Sequence, residues 1–112
     1  MRHNLIDKGF NNAKLYYDLG DYRAANISFD ALLKDYPDLE NKEAAYFYKL
    51  KSNYYFAINS IKEKQEERLK NTLNSYKEFV ERFPESKLNR EAKSIFNSSD
   101  KLLNKIKSND RS

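Results

Sequence analysis

Apolar residues recur along this chain at steps of three and four, the spacing of one face of an α-helix. The clearest example lies between Gly20 and Pro37. Gly20 can adopt the left-handed backbone that ends a helix, Asp21 can cap the next helix, and Pro37 cannot continue it. The pattern therefore predicts a turn followed by an amphipathic helix, whose apolar face consists of Tyr22, Ala25, Phe29, Leu32 and Tyr36.

The same pattern returns between residues 68 and 84, at a constant offset of 47 residues (84 − 37 = 47). Both stretches end with an aromatic residue followed by proline. Two helices this similar predict an array of stacked helical hairpins. The paired positions include Ala25 with Thr72, Ser28 with Ser75, Phe29 with Tyr76, Leu32 with Phe79 and Tyr36 with Phe83.

The pattern as a whole predicts an all-α fold of about five helices in a single domain over residues 1–112. Repeat one covers about residues 5–37, and an extended repeat two covers about 41–84. A capping helix follows over about 86–107, with Ser86 as its cap, and residues 108–112 are expected to fray. Ser60 and Glu63 have the spacing of a capping box at the start of the fourth helix. The predicted buried stripe of the first helix is Phe10, Ala13, Tyr16 and Tyr17.

Composition supports this fold and excludes several chemistries. Hydrophobic residues make up 39% and charged residues 34% of the 112 positions, and two glycines and two prolines leave few breaks. The absence of cysteine excludes disulfides, thiolate catalysis and cysteine-ligated metals. No apolar run approaches the roughly 18 residues that span a bilayer, and the first residues lack a signal segment. We therefore expect no membrane span in this chain.

The polar residues show no catalytic arrangement. His3 is the single histidine, and no glycine-rich phosphate loop is present. Acidic pairs such as Glu66 and Glu67 fall on predicted surfaces, where solvation is the ordinary state of a carboxylate. The net charge of +4 is spread among alternating signs, whereas nucleic-acid binders usually concentrate positive charge on one face. We expect no enzyme activity, no metal or other cofactor, and no nucleic-acid partner.

Residues 9–37 resemble a 34-residue tetratricopeptide repeat, with Gly20 and Asp21 at its turn. From about residue 10 to residue 96 the sequence also resembles the C-terminal part of the BamD family. These are tetratricopeptide lipoproteins of the outer-membrane β-barrel assembly machinery. The segments that carry the resemblance are KDYP at 34–37, AINSIKEKQEER at 57–68, and FPESK with the following REA within 83–92.

The resemblance implies a non-catalytic scaffold that docks on the POTRA domains of the barrel protein BamA, on the periplasmic side of the outer membrane. A complete protein of this kind carries a signal peptide, a lipid-accepting cysteine and further N-terminal repeats. None of these features is present in this sequence, so we expect either a C-terminal piece of such a protein, whose lipid anchor lies in the absent N-terminal part, or a shorter relative with a different role. The implied partners are a BamA-like POTRA domain or other subunits of the machinery.

Individual contact residues are predicted from the repeat geometry and from the enrichment of aromatic residues and arginine at interface hot spots. Under the repeat numbering, three positions of the first helix face the groove, and four charged residues are candidates for an interface rim. For each of them, a solvated or packed side chain is the alternative. The groove-facing candidates are Lys14, Tyr17 and Asp18, and the rim candidates are Arg23, Lys49, Lys51 and Arg68.

Two other functions remain open at this point. The first is a tetratricopeptide adaptor or co-chaperone that captures a short peptide in its concave groove, often through a carboxylate clamp of lysine, arginine and asparagine. Lys14 suits such a clamp, and Asn53 is a further candidate. The second is a helical repeat that binds nucleic acid, which rests only on the basic composition and scattered lysines and tyrosines.

Overall fold

The computed structural model describes residues 2–110 of the chain, and the surroundings of side chains from residue 6 to residue 109. The predicted all-α fold is confirmed, since these residues form helices joined by short turns and contain no strand. His3 lies outside the described side chains. The helices are α1 (Arg2–Asp18), α2 (Tyr22–Asp35), α3 (Lys42–Ile58), α4 (Lys62–Arg82) and α5 (Asn89–Asp110).

The turn between α1 and α2 forms as the sequence predicts. Gly20 has a φ of 82°, in the left-handed region that glycine adopts without steric cost. The amides of Gly20 and Asp21 donate to the carbonyls of Tyr17 and Tyr16 at 3.0 and 2.9 Å, which satisfies the end of α1. The carboxylate of Asp21 then accepts from the amide of Ala24 at 3.2 Å and caps α2.

The aromatic–proline endings of α2 and α4 have the same backbone geometry. Tyr36 has φ −130° and ψ 74°, and Phe83 has φ −131° and ψ 63°. Each aromatic residue donates its amide to the carbonyl four residues earlier, Leu32 or Phe79, at 3.0 and 2.9 Å. The similarity between the two sequence stretches is therefore also a similarity of structure.

The main core lies between the hairpins, with α3 packed against both α2 and α4. Small residues allow the helices to approach closely. As predicted, Ala25 of α2 and its counterpart Thr72 of α4 are fully buried. Thr72 satisfies its hydroxyl by donating to the carbonyl of Arg68 at 3.1 Å. Further fully buried alanines are Ala13, Ala45, Ala57 and Ala92.

Helix α5 closes the array on the far side of α3 and α4. A second core cluster forms there from Ala57 of α3, Leu69 of α4 and Leu103 of α5. The hydroxyl of Ser86 accepts from the amide of Leu88 at 3.0 Å, as a cap does, and donates to Glu43 of α3. Helix α5 itself begins at Asn89, after the turn that Ser86 stabilises.

Two local predictions were wrong. Tyr16 does not belong to the buried stripe of α1, since 41% of it is exposed. A helix advances 100° per residue, so Ala13 and Tyr17 share a line that faces α2 and α3, while Tyr16 lies to one side.

The capping box at Ser60 also does not form. The cap position of α4 is Ile61, which makes no side-chain cap hydrogen bond. The hydroxyl of Ser60 instead donates to the carbonyl of Phe56 and accepts from Arg68 at 2.7 Å. Its interaction with α3 and with the Arg68 side chain replaces the predicted cap.

Candidate protein-binding surface

Four tyrosines from three helices form a continuous cluster beside the main core. Tyr17 of α1 lies between Tyr22 of α2 and Tyr48 of α3, with ring centroids 5.6 and 5.2 Å away in edge-to-face geometry. Tyr55, two turns after Tyr48 on α3, stacks on Tyr22 at 5.2 Å. All four rings are partly exposed. They can therefore contact a partner while packed in a fixed arrangement.

Lys51 completes this surface from α3. Its ammonium group lies 5.2 Å from the ring centroid of Tyr17 and 5.4 Å from that of Tyr48, within the range of a cation–π interaction. It also lies 3.7 Å from the carboxylate of Glu91 on α5. Three helices thus fix the position of one lysine. We call Tyr17, Tyr22, Tyr48, Lys51 and Tyr55 the aromatic face.

Lys14 and Asp18 lie at the edge of the aromatic face and pair with each other at 3.0 Å. The hydrogen bond from Lys14 to Asp18, aided by their charges, raises the pKa of the Lys14 ammonium group. Burial among the neighbouring rings raises the pKa of the Tyr17 phenol, with further contributions from Tyr55 and Tyr22. The Tyr17 phenol therefore stays neutral.

The structure brings together four of the seven residues predicted from sequence: Lys14, Tyr17, Asp18 and Lys51. Arg23 is exposed and follows Tyr22 in the first turn of α2. Lys49 and Arg68 lie elsewhere. The guanidinium of Arg68 lies 4.1 Å from the ring centroid of Phe56 and holds the turn before α4 through Ser60.

The comparison with protein families gives a match over nearly the whole chain. The sequence profile of YfiO, described as an outer membrane lipoprotein, matches residues 8–106. The chain belongs to the YfiO family. This is the BamD family that the sequence blocks resemble, so that prediction is confirmed. No curated protein matches the chain.

Membership of the YfiO family indicates the general role and the cellular location of proteins of this kind. The family consists of non-catalytic outer membrane lipoproteins with a role in outer membrane protein assembly, which implies protein partners. Within residues 2–110, none of the helices combines the length and the hydropathy that a membrane span requires. No group of three or more histidine, cysteine, aspartate or glutamate residues in the described part of the chain could hold a metal ion.

The aromatic face of this YfiO-family chain was only partly visible in the sequence. Tyr48, Lys51 and Tyr55 follow helical spacing, so their common face could be found from periodicity. The position of Glu91 beside Lys51 could not be predicted from periodicity, because the two residues, 3.7 Å apart, belong to different helices. Tyr22 was predicted only as a residue of the apolar face, whereas its ring also belongs to the exposed cluster.

Lys49 joins three helices on another side of α3. Its ammonium group lies 3.0 Å from the carboxylate of Asp30 on α2 and 3.4 Å from that of Glu78 on α4. Burial acts to lower the pKa of Lys49, but the hydrogen bond to Asp30 and the charge of Glu78 outweigh it, so the pKa is raised. Lys49 stays charged and connects the hairpins rather than standing at an exposed rim.

Asp30 makes part of the stability dependent on pH. Burial acts to raise the pKa of Asp30, but hydrogen bonds from Lys34 and Lys49 outweigh it and hold the pKa below its ordinary value. Because the pKa of Asp30 is lower in the folded than in the unfolded chain, ionised Asp30 stabilises the fold at pH values above its unfolded pKa of about 4. This stabilisation is lost as the pH falls through the lower pKa of the folded chain.

We expect the Asp30→Asn variant to lose less unfolding free energy on acidification from about pH 5 to pH 2 than the parent chain does. The difference should be about 1 kcal/mol or less, because the Asp30 side chain is 36% exposed. Urea unfolding across this pH range measures it. Asp35→Asn, at an exposed carboxylate of the same helix, is the control. Parallel pH profiles for Asp30→Asn and the parent chain would contradict the prediction.

Proposed function

We propose that this chain is a non-catalytic scaffold that docks on a POTRA domain of a BamA-like protein at the periplasmic side of the outer membrane. Family membership supports a role in outer membrane assembly, and the resemblance to the C-terminal part of BamD supports this partner. The mechanism is binding: rigidly packed helices present a surface, and no covalent step is involved.

The observation that carries the proposal is the aromatic face. Interfaces concentrate their binding energy in a few residues, often tyrosine, tryptophan or arginine, and a residue that is already held in place loses less entropy on binding. Tyr17 and Tyr55 meet this condition, since neighbouring rings and Lys51 already fix them. These tyrosines lose little side-chain entropy when a partner covers them, because a tyrosine side chain has few rotatable bonds.

Charged residues around the aromatic face set the orientation of the partner. Lys14 with Asp18 and Lys51 with Glu91 place both signs of charge close to the rings. Such groups mainly influence the rate of association and the specificity, while the apolar and aromatic contacts supply affinity. Arg23 is an exposed cation one residue after Tyr22, so a contribution of surface charge can be tested there.

The test is titration calorimetry of this chain against isolated POTRA domains. Tyr55→Ala should weaken binding by about tenfold, or about 1.4 kcal/mol, which is typical of an interface anchor. Arg23→Glu should weaken binding several-fold at low salt and much less at high salt, because the Debye length is about 10 Å at 0.1 M ionic strength. Lys70→Glu is the matched control, since Lys70 is the exposed counterpart of Arg23 in the second repeat.

A parallel titration uses single-stranded nucleic acid. Binding to the POTRA domains with sensitivity to Tyr55→Ala is the expected result. Heat with nucleic acid alone would contradict the scaffold proposal. Equal effects of Arg23→Glu and Lys70→Glu would show that general charge, rather than the aromatic face, governs the association.

The structure does not assemble the carboxylate clamp of the adaptor alternative from its two candidate residues. Lys14 is paired with Asp18 next to the aromatic face. Asn53 lines a cleft between α2 and α4 and donates to Ser75 at 2.5 Å. The two candidates therefore lie on different helices, α1 and α3, and each already has a partner of its own.

A further inference from the structure

Helix α5 has an exposed face that carries positive charge only. Arg90, Lys93, Lys101 and Lys105 are all exposed. At 100° per residue, these four residues fall within an arc of about 120° around the helix axis. We call them the cationic face. The other residues in this arc are exposed, polar and uncharged: Ser94, Asn97, Asn104 and Ser108.

Two acidic residues of α5, Glu91 and Asp100, lie outside this arc. The carboxylate of Glu91 lies 3.7 Å from the ammonium group of Lys51 on α3, on another side of the helix. Asp100 is half-buried and lies about 80° from the centre of the arc. Among the described residues, no carboxylate forms an ion pair with any member of the cationic face. The positive charge of this face is therefore not neutralised within the described part of the chain.

The cationic face is an exception to the alternation of charge signs along the chain. The exposed side of α4, for example, carries Glu67 and Glu81 as well as Lys70 and Lys77. The net charge of the whole chain is +4, so the four cations of this face equal the entire excess of positive charge. An excess of this size on one side of one helix produces a local positive potential.

The opposite side of α5 is already covered by the rest of the chain. Ala92, Ser99 and Leu103 are buried there, where α5 packs against α3 and α4. Leu102 and Ile106 pack on the second core cluster. Helix α5 therefore cannot turn its apolar side toward a partner while the fold is intact, and binding through its exposed side must be electrostatic.

The composition of the cationic face favours a lipid surface over a protein or a nucleic acid. Protein interfaces obtain most of their affinity from aromatic and other well-packed side chains, and the described residues of this arc include none. Binding of single-stranded nucleic acid also relies on aromatic side chains that stack on the bases. An anionic membrane surface, in contrast, attracts lysine and arginine residues by charge alone.

The family and the length of the face both fit a membrane surface. The family is described as an outer membrane lipoprotein, so its members are held beside a bilayer. From Arg90 to Lys105 the face extends over about 22 Å, at 1.5 Å per residue. We propose that the cationic face of α5 binds the surface of a bilayer that contains anionic phospholipids, through the phosphate groups of several headgroups at once.

This lipid contact is separate from docking on a POTRA domain. The aromatic face belongs to α1, α2 and α3, whereas the cationic face belongs to α5. Substitutions in the cationic face therefore test the lipid contact without removing any residue of the aromatic face.

Co-sedimentation of the chain with vesicles measures the binding. The vesicles contain phosphatidylcholine with roughly one phosphatidylglycerol in three lipids, and vesicles of phosphatidylcholine alone are the neutral reference. Each cation near an anionic surface contributes about fivefold in affinity, so the double variant Lys93→Gln, Lys101→Gln should bind about tenfold more weakly or less tightly still. The double variant Lys93→Arg, Lys101→Arg keeps both charges and should bind like the parent chain.

The matched control is the double variant Lys8→Gln, Lys34→Gln. It removes two exposed cations from α1 and α2, which make no contact with α5 within residues 2–110. Binding to the anionic vesicles should change by less than about twofold, because charges far from the bilayer are screened.

Salt distinguishes attraction by charge from insertion of apolar side chains. Raising the salt concentration from about 0.05 M to about 0.5 M shortens the Debye length and should release the chain from the vesicles. The proposal is overturned if the chain does not sediment with anionic vesicles at low salt, or if neutral vesicles bind it equally. It is also overturned if both glutamine double variants weaken binding equally, or if binding persists at high salt.

Two further titrations identify the ligand if it is not a lipid. Tighter binding to a single-stranded oligonucleotide than to vesicles, lost in Lys93→Gln, Lys101→Gln, would assign the face to nucleic acid. Loss of binding to POTRA domains, rather than to vesicles, in this variant would assign it to a protein. Either result overturns the lipid proposal. Tyr55→Ala should leave vesicle binding unchanged, so failure of POTRA docking and failure of lipid binding can be told apart.

Discussion

Replacing Phe29 with alanine is expected to lower the unfolding free energy by about 3–5 kcal/mol. Phe29 is fully buried in the main core. Its ring stacks on Tyr48 at 5.4 Å and meets the edge of Phe10 at 5.7 Å, so it joins α2 to both α3 and α1. Truncation removes apolar contacts and leaves a cavity that three helices cannot easily close.

This loss is a large part of the total, since a domain of this size has only about 5–15 kcal/mol of stability. Urea unfolding followed by circular dichroism measures the change. Ile27→Ala provides the control in the same helix, because 56% of Ile27 is exposed and the expected change is within about 0.5 kcal/mol. A loss below about 1 kcal/mol for Phe29→Ala would be incompatible with the observed burial.

Tyr76 is the counterpart of Phe29 in the second repeat, and its truncation allows a comparison of the two losses of stability. Tyr76 is only partly buried, and its ring stacks on Phe96 of α5 at 4.7 Å. Tyr76→Ala should therefore cost less than Phe29→Ala. Phe29 and Tyr76 occupy paired positions of the sequence repeat, so a difference between the two losses measures how far neighbouring helices cover each ring.

Replacing Ala25 with leucine is expected to destabilise the chain by about 1–3 kcal/mol through overpacking. Ala25 has no exposed surface and belongs to the main core. The added carbon atoms of leucine have no space between closely packed helices, so the helices must separate or the side chain must leave its preferred rotamer.

Ala31→Leu is a close control for this prediction, because Ala31 is an exposed alanine of the same helix. Leucine and alanine both favour helices, so the helix itself should be little affected. Thermal and urea unfolding of both variants measures the contrast. If Ala25→Leu were as stable as Ala31→Leu, the close approach of helices at Ala25 would be disproved.

Local stereochemistry made the helix ends predictable. Gly20 has the left-handed backbone, and Asp21 caps α2, because each of these effects depends on neighbouring residues alone. The aromatic–proline endings at Tyr36 and Phe83 were predictable for the same reason. Ser60 failed as a cap because its hydroxyl donates to the carbonyl of Phe56 and accepts from Arg68, whereas Ser86 accepts from the amide of Leu88.

The candidate surface was predictable only where it follows one helix. Lys14 and Asp18 are four residues apart, so their ion pair is a local consequence of helical spacing. The contacts of Lys49 with Asp30 and Glu78, and of Lys51 with Glu91, join different helices. Periodicity within a single helix contains no information about which residue of another helix lies opposite.

The sequence by itself determined the all-α fold, the positions of the turns, the repetition of the hairpin and the family of the chain, because local spacing and residue order carry these features. The tertiary structure alone decided that four tyrosines and Lys51 share one face, while Lys49 and Asn53 lie on another. The physical reason is that the rotation and approach of neighbouring helices depend on how all core side chains pack together.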